Sequence, residues 1–357
     1  MATVDSYMGC LLGMAAGDAL GYTIDDLSWE DICQNYGPNG LLGYDLQEDF
    51  APVTSYTQIA AYLCNGLLLS ISRGSRDARM PYLTLGLREW TRSQLFYRDP
   101  ERSFCWIAKI PAFRRRNCRD ARMLATLRLQ SQGSLDVATA FPDSPGPITA
   151  GVAMGLFYDS KRMETCQIGE LTYEIIAQTH GKGEAALCGV VLGYIIAGIQ
   201  QEPEVPLREQ FYGAIAAMQG QFAGAEANRV AEILKKAIDL CDDPSVSTRQ
   251  GMETLGCRTA VECLAGGMYA CLTLGYDFDA AIIGAVNHSG HSAATGAITG
   301  AILGAIMGAA ALPEFYLDSL EPAQSLAVLA KDLLSATPAS GIFDDDWDLK
   351  YVHGEPV

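Results

Sequence analysis

The sequence lacks several patterns that would point to common classes of protein. Its 357 residues contain no Cys-x-x-Cys pair, and the 11 cysteines are scattered from Cys10 to Cys271. This odd, scattered set is typical of a reduced, cytoplasmic chain whose cysteines act as small apolar residues, and not of a disulfide framework. The N-terminus carries Asp5 and no basic segment before its apolar run, so we expect no signal peptide.

Positive charge is also scarce. The chain has 25 Lys and Arg against 42 Asp and Glu, a formal net charge of -17. This balance argues against a general binder of nucleic acid or of membrane surfaces. Residues 293–312 carry no charge and reach the roughly 20 residues that a membrane span needs. Their glycines and threonines, and the absence of flanking Lys or Arg clusters, instead favour a buried helix of a soluble protein.

No segment alternates apolar and polar residues well enough to predict a strand, and no stretch has the composition of a long linker. Apolar residues recur at helical spacing, whereas residues 22–43 are rich in turn residues and predict a loop. Helices are predicted over residues 5–20, 59–71, 82–94, 114–130, 166–178, 184–199, 207–222, 227–240, 259–273 and 278–286. The sequence therefore predicts one all-α domain over residues 1–340, followed by a loosely ordered acidic tail over residues 341–357.

Glycines repeat every four residues in two segments at opposite ends of the chain. They are Gly9, Gly13, Gly17 and Gly21 in the first segment, and Gly296, Gly300, Gly304 and Gly308 in the second. This spacing places glycines on one stripe of a helix, where a second backbone can approach closely. Each glycine costs about 1 kcal/mol of helix stability relative to alanine. We therefore expect two central helices that pack on each other, with polar residues at the rim of their shared core.

Four segments together resemble the signature regions of a known family. They are GMAAGDALGYTID from Gly13, VTSYTQIAAY from Val53, AQTHGKGEAAL from Ala177 and AVNHSGHSAATGAITGAILGA from Ala285. In this order they resemble the ADP-ribosylglycohydrolase family over about residues 7–321. The resemblance implies an all-α orthogonal helical bundle with a cleft that binds ADP-ribose above two magnesium ions.

The sequence departs from the family at the metal-ligand positions. Active members carry two adjacent aspartates in the second segment and an Asp-Ser-Asp-Ser motif, or a close variant, in the fourth. Here Ser55 and Tyr56 stand at the first two positions, and His291 and Ala293 stand at the other two. These side chains do not supply the charged oxygen ligands that magnesium prefers, so we expect no dinuclear magnesium site. The alternative is a zinc site formed by His291 with Asp18 or His288, which no local ligand spacing supports.

Other candidate site residues follow from the segments that are kept. Asp18 is intact in the first segment, and Asp25 stands where many family members carry a glutamate beside the substrate. We predict these two as the candidate catalytic carboxylates. The candidate ligand-binding residues are Thr54, Ser55, Tyr56, His180, His288, His291 and Ser292.

Each candidate also has a structural interpretation. Asp18 can accept hydrogen bonds at a helix end, Asp25 can begin a turn, and Thr54 can cap a helix. Buried histidines such as His180 are more often satisfied core residues than catalysts. Tyr56 would fill the volume that the absent metals vacate, and would either stack on an adenine or ribose face or close the pocket.

An arginine-rich stretch lies in the predicted helix over residues 114–130. In that helix Arg115, Arg119 and Arg122 would share one face. Such a surface would bind a diphosphate, a phosphorylated partner or an acidic peptide, or would pair with the carboxylates of the chain itself.

Three functions remain open on the sequence. The first is a relative that lacks the usual magnesium chemistry and binds an ADP-ribose-like nucleotide or an ADP-ribosylated protein. The second is an active hydrolase of protein-linked ADP-ribose with metal-independent or altered-metal chemistry. The third is a structural or partner-binding protein with a filled cleft. Loss of the metal ligands favours the first and third over the second, because hydrolysis needs a polarised bond and an activated water.

Overall fold

The computed structural model describes residues 2–73, 79–96, 100–131, 142–158, 164–336 and 345–356, and its regular elements in these ranges are all helical. The first eight α-helices are α1 (Val4–Tyr22), α2 (Trp29–Tyr36), α3 (Ser55–Ser72), α4 (Arg79–Leu95), α5 (Ala121–Ser131), α6 (Ala150–Phe157), α7 (Thr165–His180) and α8 (Glu184–Gln201). The next nine are α9 (Leu207–Gln221), α10 (Ala225–Leu240), α11 (Thr248–Leu255), α12 (Ala260–Leu274), α13 (Phe278–Val286), α14 (Ser292–Met307), α15 (Glu314–Ser319), α16 (Ala323–Ser335) and α17 (Asp345–Asp348). The predicted all-α fold is confirmed.

Helices α1 and α14 pack against each other along their glycine stripes. A Cβ atom at Gly13 would overlap the carbonyl oxygen of Gly300, and one at Gly17 would overlap that of Gly296. The two backbones are thus in direct contact, which confirms the predicted pair of central helices. Helices α3, α8 and α12 are also buried on nearly every side, and the remaining helices surround this core.

One short helix lies in a segment that the sequence predicted as a loop. Helix α2 interrupts residues 22–43, and the Ser28 hydroxyl accepts a hydrogen bond from the backbone N–H of Asp31 at its start. Ile32 is fully buried, so the helix is held by packing as well as by its cap. The expectation of a continuous loop was wrong because turn residues flank this helix closely on both sides.

The predicted basic helix over residues 114–130 is wrong in its first part. The segment Pro111–Arg114 is a short 3-10 helix, Arg115 is extended, and α5 begins only at Ala121. Arg115, Arg119 and Arg122 therefore do not share one helical face.

Specific hydrogen bonds explain why this basic segment is not α-helical before Ala121. The Gln58 side-chain amide donates to the carbonyl oxygens of Ala112 and Arg115, both at 2.9 Å. This buried amide holds the chain in a path that helical backbone bonds would not allow. Asp120 Oδ1 accepts from the backbone N–H of Met123 at 2.8 Å, as a helix N-cap does, and so fixes the start of α5.

The chain end is more ordered than the sequence suggested. Helix α17 is followed by a π-helical turn, Leu349–His353, and Tyr351 is fully buried. The Tyr351 hydroxyl donates to Asp332 at 2.6 Å, and Trp347 Nε1 donates to Ser72 at 2.7 Å. A loosely ordered acidic tail is therefore wrong for residues 345–356, while residues 337–344 and Val357 lie outside the described residues. The boundary at residue 340 stays a prediction.

Among the described residues, one helix, Glu184–Gln201, is long and apolar enough to cross a membrane. Of that helix, 89% is buried inside the protein. Its apolar composition is thus accounted for by packing. Residues 293–312, the segment weighed as a span on the sequence, contain the buried helix α14.

The contact between α1 and α14 predicts that a glycine-to-alanine change destabilises the protein at this contact but not at an exposed helix position. Gly13→Ala places a Cβ against the Gly300 carbonyl, so we expect a loss of about 3 kcal/mol or more in the free energy of unfolding. Gly213→Ala in α9 is the control, because nothing lies within 4 Å of its added Cβ; it should stabilise by about 0.5–1 kcal/mol. Urea unfolding followed by circular dichroism measures both. Equal stabilities of the two variants would contradict the close contact.

Candidate active site

A cleft of about 370 Å³ opens where the N-termini of α3, α5 and α14 meet. We call it the His291 cleft. Its lining residues are Tyr56, Arg119, Asp120, Ala121, Arg122, Asp143, Ser144, Pro145, Arg258 and His291. Tyr56 and His291 are thus the two predicted site residues that line it. A larger cleft, of about 630 Å³, is lined by none of the predicted site residues.

Asp18 lies near the end of α1 and is fully buried. Its carboxylate accepts from the backbone N–H of Thr54 at 2.9 Å and of Thr57 at 3.1 Å, and from both threonine hydroxyls at 2.6 Å. Burial raises the pKa of Asp18 to about 6, although these hydrogen bonds partly oppose the shift. Asp18 is not among the residues that line the His291 cleft, and its four bonds hold the N-terminus of α3.

Asp25 lies between α14 and an arginine. Its Oδ1 accepts from the backbone N–H of Ala293 at 2.9 Å, and its Oδ2 accepts from Arg119 Nε at 2.9 Å. Burial raises the pKa of Asp25, and the Arg119 charge opposes that effect. Asp25 therefore lies behind the cleft wall and holds the guanidinium of Arg119 in the wall.

The four positions where the family resemblance places metal ligands do not fit magnesium. The Ser55 hydroxyl accepts from the backbone N–H of Arg119 at 3.3 Å, and Ala293 offers only the backbone N–H that Asp25 binds. Burial holds the pKa of the Tyr56 phenol well above its ordinary value, so this side chain stays neutral. His291 pairs with Asp26, with 2.9 Å between Nδ1 and Oδ1. No carboxylate stands at any of the four positions.

His291 belongs to a different group of possible ligands. Asp25, Asp26 and His291 each present one ligand atom, and these atoms lie within 4.8 Å of one another. Among the described residues this is the one such group, so the zinc site with Asp18 or His288 is not formed. Burial lowers the pKa of His291, but the adjacent carboxylates Asp26 and Asp25 raise it by more than burial lowers it. The net shift of this pKa is therefore upward. The Arg119 guanidinium on Asp25 also competes with a cation there.

His180 and His288 are both buried but differ in their surroundings. His180 Nε2 lies 3.1 Å from Asp120 Oδ2, and Asp120 lines the His291 cleft. His288 Nδ1 accepts from the backbone N–H of Gly290 at 3.0 Å, so its Nε2 carries the proton that Thr295 Oγ1 accepts at 2.8 Å. Burial lowers the pKa of His288 to about 4, which leaves the ring neutral and bracing the turn before α14.

Thr54 and Ser292 begin the two helices at the site. Thr54 is the N-cap of α3, and Ser292 is the first residue of α14. Both are fully buried, and neither is among the residues that line the His291 cleft. Of the nine predicted site residues, Asp18 and Thr54 are hydrogen-bonded to each other at the N-terminus of α3, whereas Ser55 bonds to Arg119 and Asn117.

Most of the cleft residues were not predicted as site residues, among them Asp120 and Arg258. Asp120 accepts from the hydroxyl of Ser144 as well as contacting His180, and Arg258 Nη2 donates to the Ser289 carbonyl at 2.6 Å. Asp120 carries a detectable signal, since an aspartate three residues before an apolar helical pattern indicates an N-cap. Arg258 carries none, because only the fold brings its loop to the cleft.

A change at Asp18 separates a structural from a catalytic role. Asp18→Ala leaves four buried donors without an acceptor, so we expect a loss of about 3 kcal/mol or more in the free energy of unfolding. Asp18→Asn keeps the shape and one acceptor oxygen, and should lose less. Chemical unfolding of both variants measures the difference. An alanine variant as stable as the wild type would contradict the structural role.

Asp120 predicts a pH dependence of stability. Burial raises its pKa, but hydrogen bonds from His180 and Ser144 outweigh burial and lower the pKa from 3.8 to about 2. A lowered carboxyl pKa contributes stability above the unfolded value, and this contribution is lost as pH falls from about 4 towards 2. The loss should amount to about 2 kcal/mol.

Asp120→Asn provides the comparison for this effect. The amide does not titrate in this range, so the stability advantage of the wild type over the variant should shrink by that amount between pH 5 and pH 2. Urea unfolding at a series of pH values measures it. A difference that stays constant with pH would refute the assignment.

Comparisons with known proteins identify the fold and family. A family model described as ADP-ribosylglycohydrolase matches residues 1–341. No curated protein matches the chain significantly. One solved structure, described as an ADP-ribosylglycohydrolase-related protein complex, is similar with a TM-score of 0.59 and 20% identity, over 93% of this chain and 98% of that one. That likeness shows the fold alone, but the family model spans nearly all of the sequence, and the chain therefore belongs to the ADP-ribosylglycohydrolase family.

Proposed function

We propose that this chain binds an ADP-ribose-like nucleotide, free or attached to a protein, in the His291 cleft without the dinuclear magnesium site of its family. The observation that carries the proposal is the Asp25–Arg119 pair. Asp25 bridges the backbone N–H of Ala293, one of the four metal-ligand positions, and the guanidinium of Arg119. A fixed organic cation thus lies beside the place where the family resemblance puts metal charge.

Arg119 is positioned to receive a phosphate. The Arg119 guanidinium also lies over the ring of Tyr22, with 5.5 Å between its Cζ and the ring centroid. These two contacts limit its movement, so little side-chain entropy is lost on binding. A planar guanidinium donates two parallel hydrogen bonds to a phosphate, which suits the diphosphate of ADP-ribose.

The rest of the cleft suits the other parts of such a ligand. Arg258 and Arg122 add positive charge to the wall, whereas the carboxylates of Asp120 and Asp143 are acceptors for ribose hydroxyls. Tyr56 also lines the cleft but is only 2% exposed, so its ring contributes little surface to a sugar or base. The volume of about 370 Å³ supports a binding site more than a cleft that Tyr56 has closed.

The two predicted catalytic carboxylates support binding more than hydrolysis. Asp18 and Asp25 are both engaged in hydrogen bonds with the protein, and neither is among the residues lining the cleft. A general base must reach the attacking water within hydrogen-bond distance. Neither carboxylate has that access in this arrangement.

Calorimetric titration of ADP-ribose into the chelator-treated protein tests the proposal. We expect saturable binding that added magnesium does not change. Arg258→Ala removes an exposed guanidinium from the cleft wall and should weaken binding about tenfold, roughly 1.4 kcal/mol. Arg88→Ala is the control, because Arg88 is exposed on α4 and lines neither cleft, so it should leave the affinity unchanged.

Three results would count against the proposal. Binding that requires magnesium would mean that a metal site forms from residues outside the four metal-ligand positions of the family. Magnesium-dependent release of ADP-ribose from ADP-ribosyl-arginine or ADP-ribosyl-serine would make the chain an ordinary hydrolase of its family. Absence of binding with and without magnesium would favour a structural or partner-binding role.

A further inference from the structure

The larger cleft of about 630 Å³ lies beside the arginine-rich segment and shares no lining residue with the His291 cleft. We call it the arginine cleft. Its lining residues are Tyr62, Glu89, Arg92, Ser93, Phe96, Pro100, Ser103, Ala108, Pro111, Arg114, Arg115 and Arg116. We propose that it is a second binding site, for a small molecule that carries two or more phosphate groups.

The charge balance of the arginine cleft supports an anionic ligand. Arg115 pairs with Glu321, at 2.7 Å from Nη2 to Oε1. Among the described residues, Arg92, Arg114 and Arg116 have no ion pair, and the Nε of Arg114 is buried without a hydrogen-bond partner. Three guanidiniums thus line one cavity without an ion-pair partner among the described residues, in a protein whose net charge is -17.

The one carboxylate in the lining does not form an ion pair with these arginines. Glu89 is buried, and its two oxygens accept from the backbone N–H groups of Phe104 at 2.9 Å and Cys105 at 3.0 Å. Its bonding capacity is therefore directed to the backbone at the base of the cleft. The guanidinium donors of Arg92, Arg114 and Arg116 remain for a ligand.

The arginine segment is held in place from beneath. Gln58 is fully buried, and its side-chain amide donates to the carbonyl oxygens of Ala112 and Arg115. Gln94 Nε2 also donates to the carbonyl oxygen of Arg115, at 3.2 Å. Trp90 Nε1 donates in turn to Gln58 Oε1 at 3.1 Å. This amide network fixes the backbone that carries three successive arginines, so the site is largely organised before a ligand binds.

The ligand chemistry follows from the donors and the size of the cleft. Guanidiniums bind phosphate oxygens in bidentate pairs, and three of them exceed what a single phosphate needs. Phe96 lines the same cleft with 48% of its surface exposed, which offers a ring for a nucleobase. An inorganic polyphosphate and a nucleoside polyphosphate share the required phosphates, and the experiment distinguishes them.

Titration calorimetry at low salt tests the site, with tripolyphosphate and ATP as probes and without divalent metal. We expect one saturable site. Arg92→Ala and Arg116→Ala change exposed side chains, and each should weaken binding about tenfold. Arg88→Ala is the matched control, because Arg88 is exposed one turn before Arg92 on α4 but does not line the cleft; it should change the affinity less than about twofold.

The two probes and one further variant complete the test. Tighter binding of ATP would identify a nucleotide ligand that uses Phe96, and equal binding would identify the phosphates alone. Arg258→Ala in the His291 cleft should leave both affinities unchanged, so this proposal stands or falls separately from the proposed function. The proposal is overturned by no saturable binding at millimolar probe, by equal effects of Arg92→Ala and Arg88→Ala, or by loss of binding in Arg258→Ala. Near-ultraviolet circular dichroism confirms that each variant is folded.

Discussion

The direct contact between the backbones of α1 and α14 is the constraint on which the described site depends. Helices that pack through ordinary side chains lie about 8–10 Å apart, whereas the paired glycines let these two approach until no Cβ fits between them. This approach brings the chain that follows α1 to the start of α14. The 2.9 Å bond from the Ala293 backbone to Asp25 is possible only at that separation. The glycines therefore contribute to the site as well as to the core.

The carboxylates of Asp18, near the end of α1, and of Asp25, just after it, both form hydrogen bonds within the protein. Asp18 accepts hydrogen bonds from residues at the start of α3. Asp25 accepts one from the backbone at the start of α14 and one from Arg119. Helix N-termini carry partial positive charge and unpaired N–H groups, so carboxylates are stabilised there. These bonds give both residues a structural role in a site without metal-ligating aspartates. Their presence in the sequence is thus not in itself evidence of hydrolysis.

The fold was predictable from the sequence to a large extent, and the site much less so. The glycine spacing and the apolar periodicity are local signals, and they located α1, α14 and most long helices. The path of the arginine segment was not predictable, because Gln58, which is distant in sequence, holds the carbonyl of Arg115 out of a helix. Arg258 reaches the cleft through a loop that carries no motif. Tyr56 and His291, which the family resemblance supplied, line the His291 cleft, but their hydrogen-bond partners required the structure.

The arginines of the two clefts differ in a way that constrains what each cleft recognises. A carboxylate that fixes a guanidinium also offsets part of its charge, so Arg119, paired with Asp25, offers fixed donor geometry together with a partly balanced charge. Arg92 and Arg116 have no such partner among the described residues, and they offer charge on exposed side chains. Exposed charges are screened over about 8 Å at physiological salt, whereas a buried pair such as Asp25 with Arg119 is screened much less. Recognition in the His291 cleft should therefore depend on ligand shape, and recognition in the arginine cleft on ligand charge.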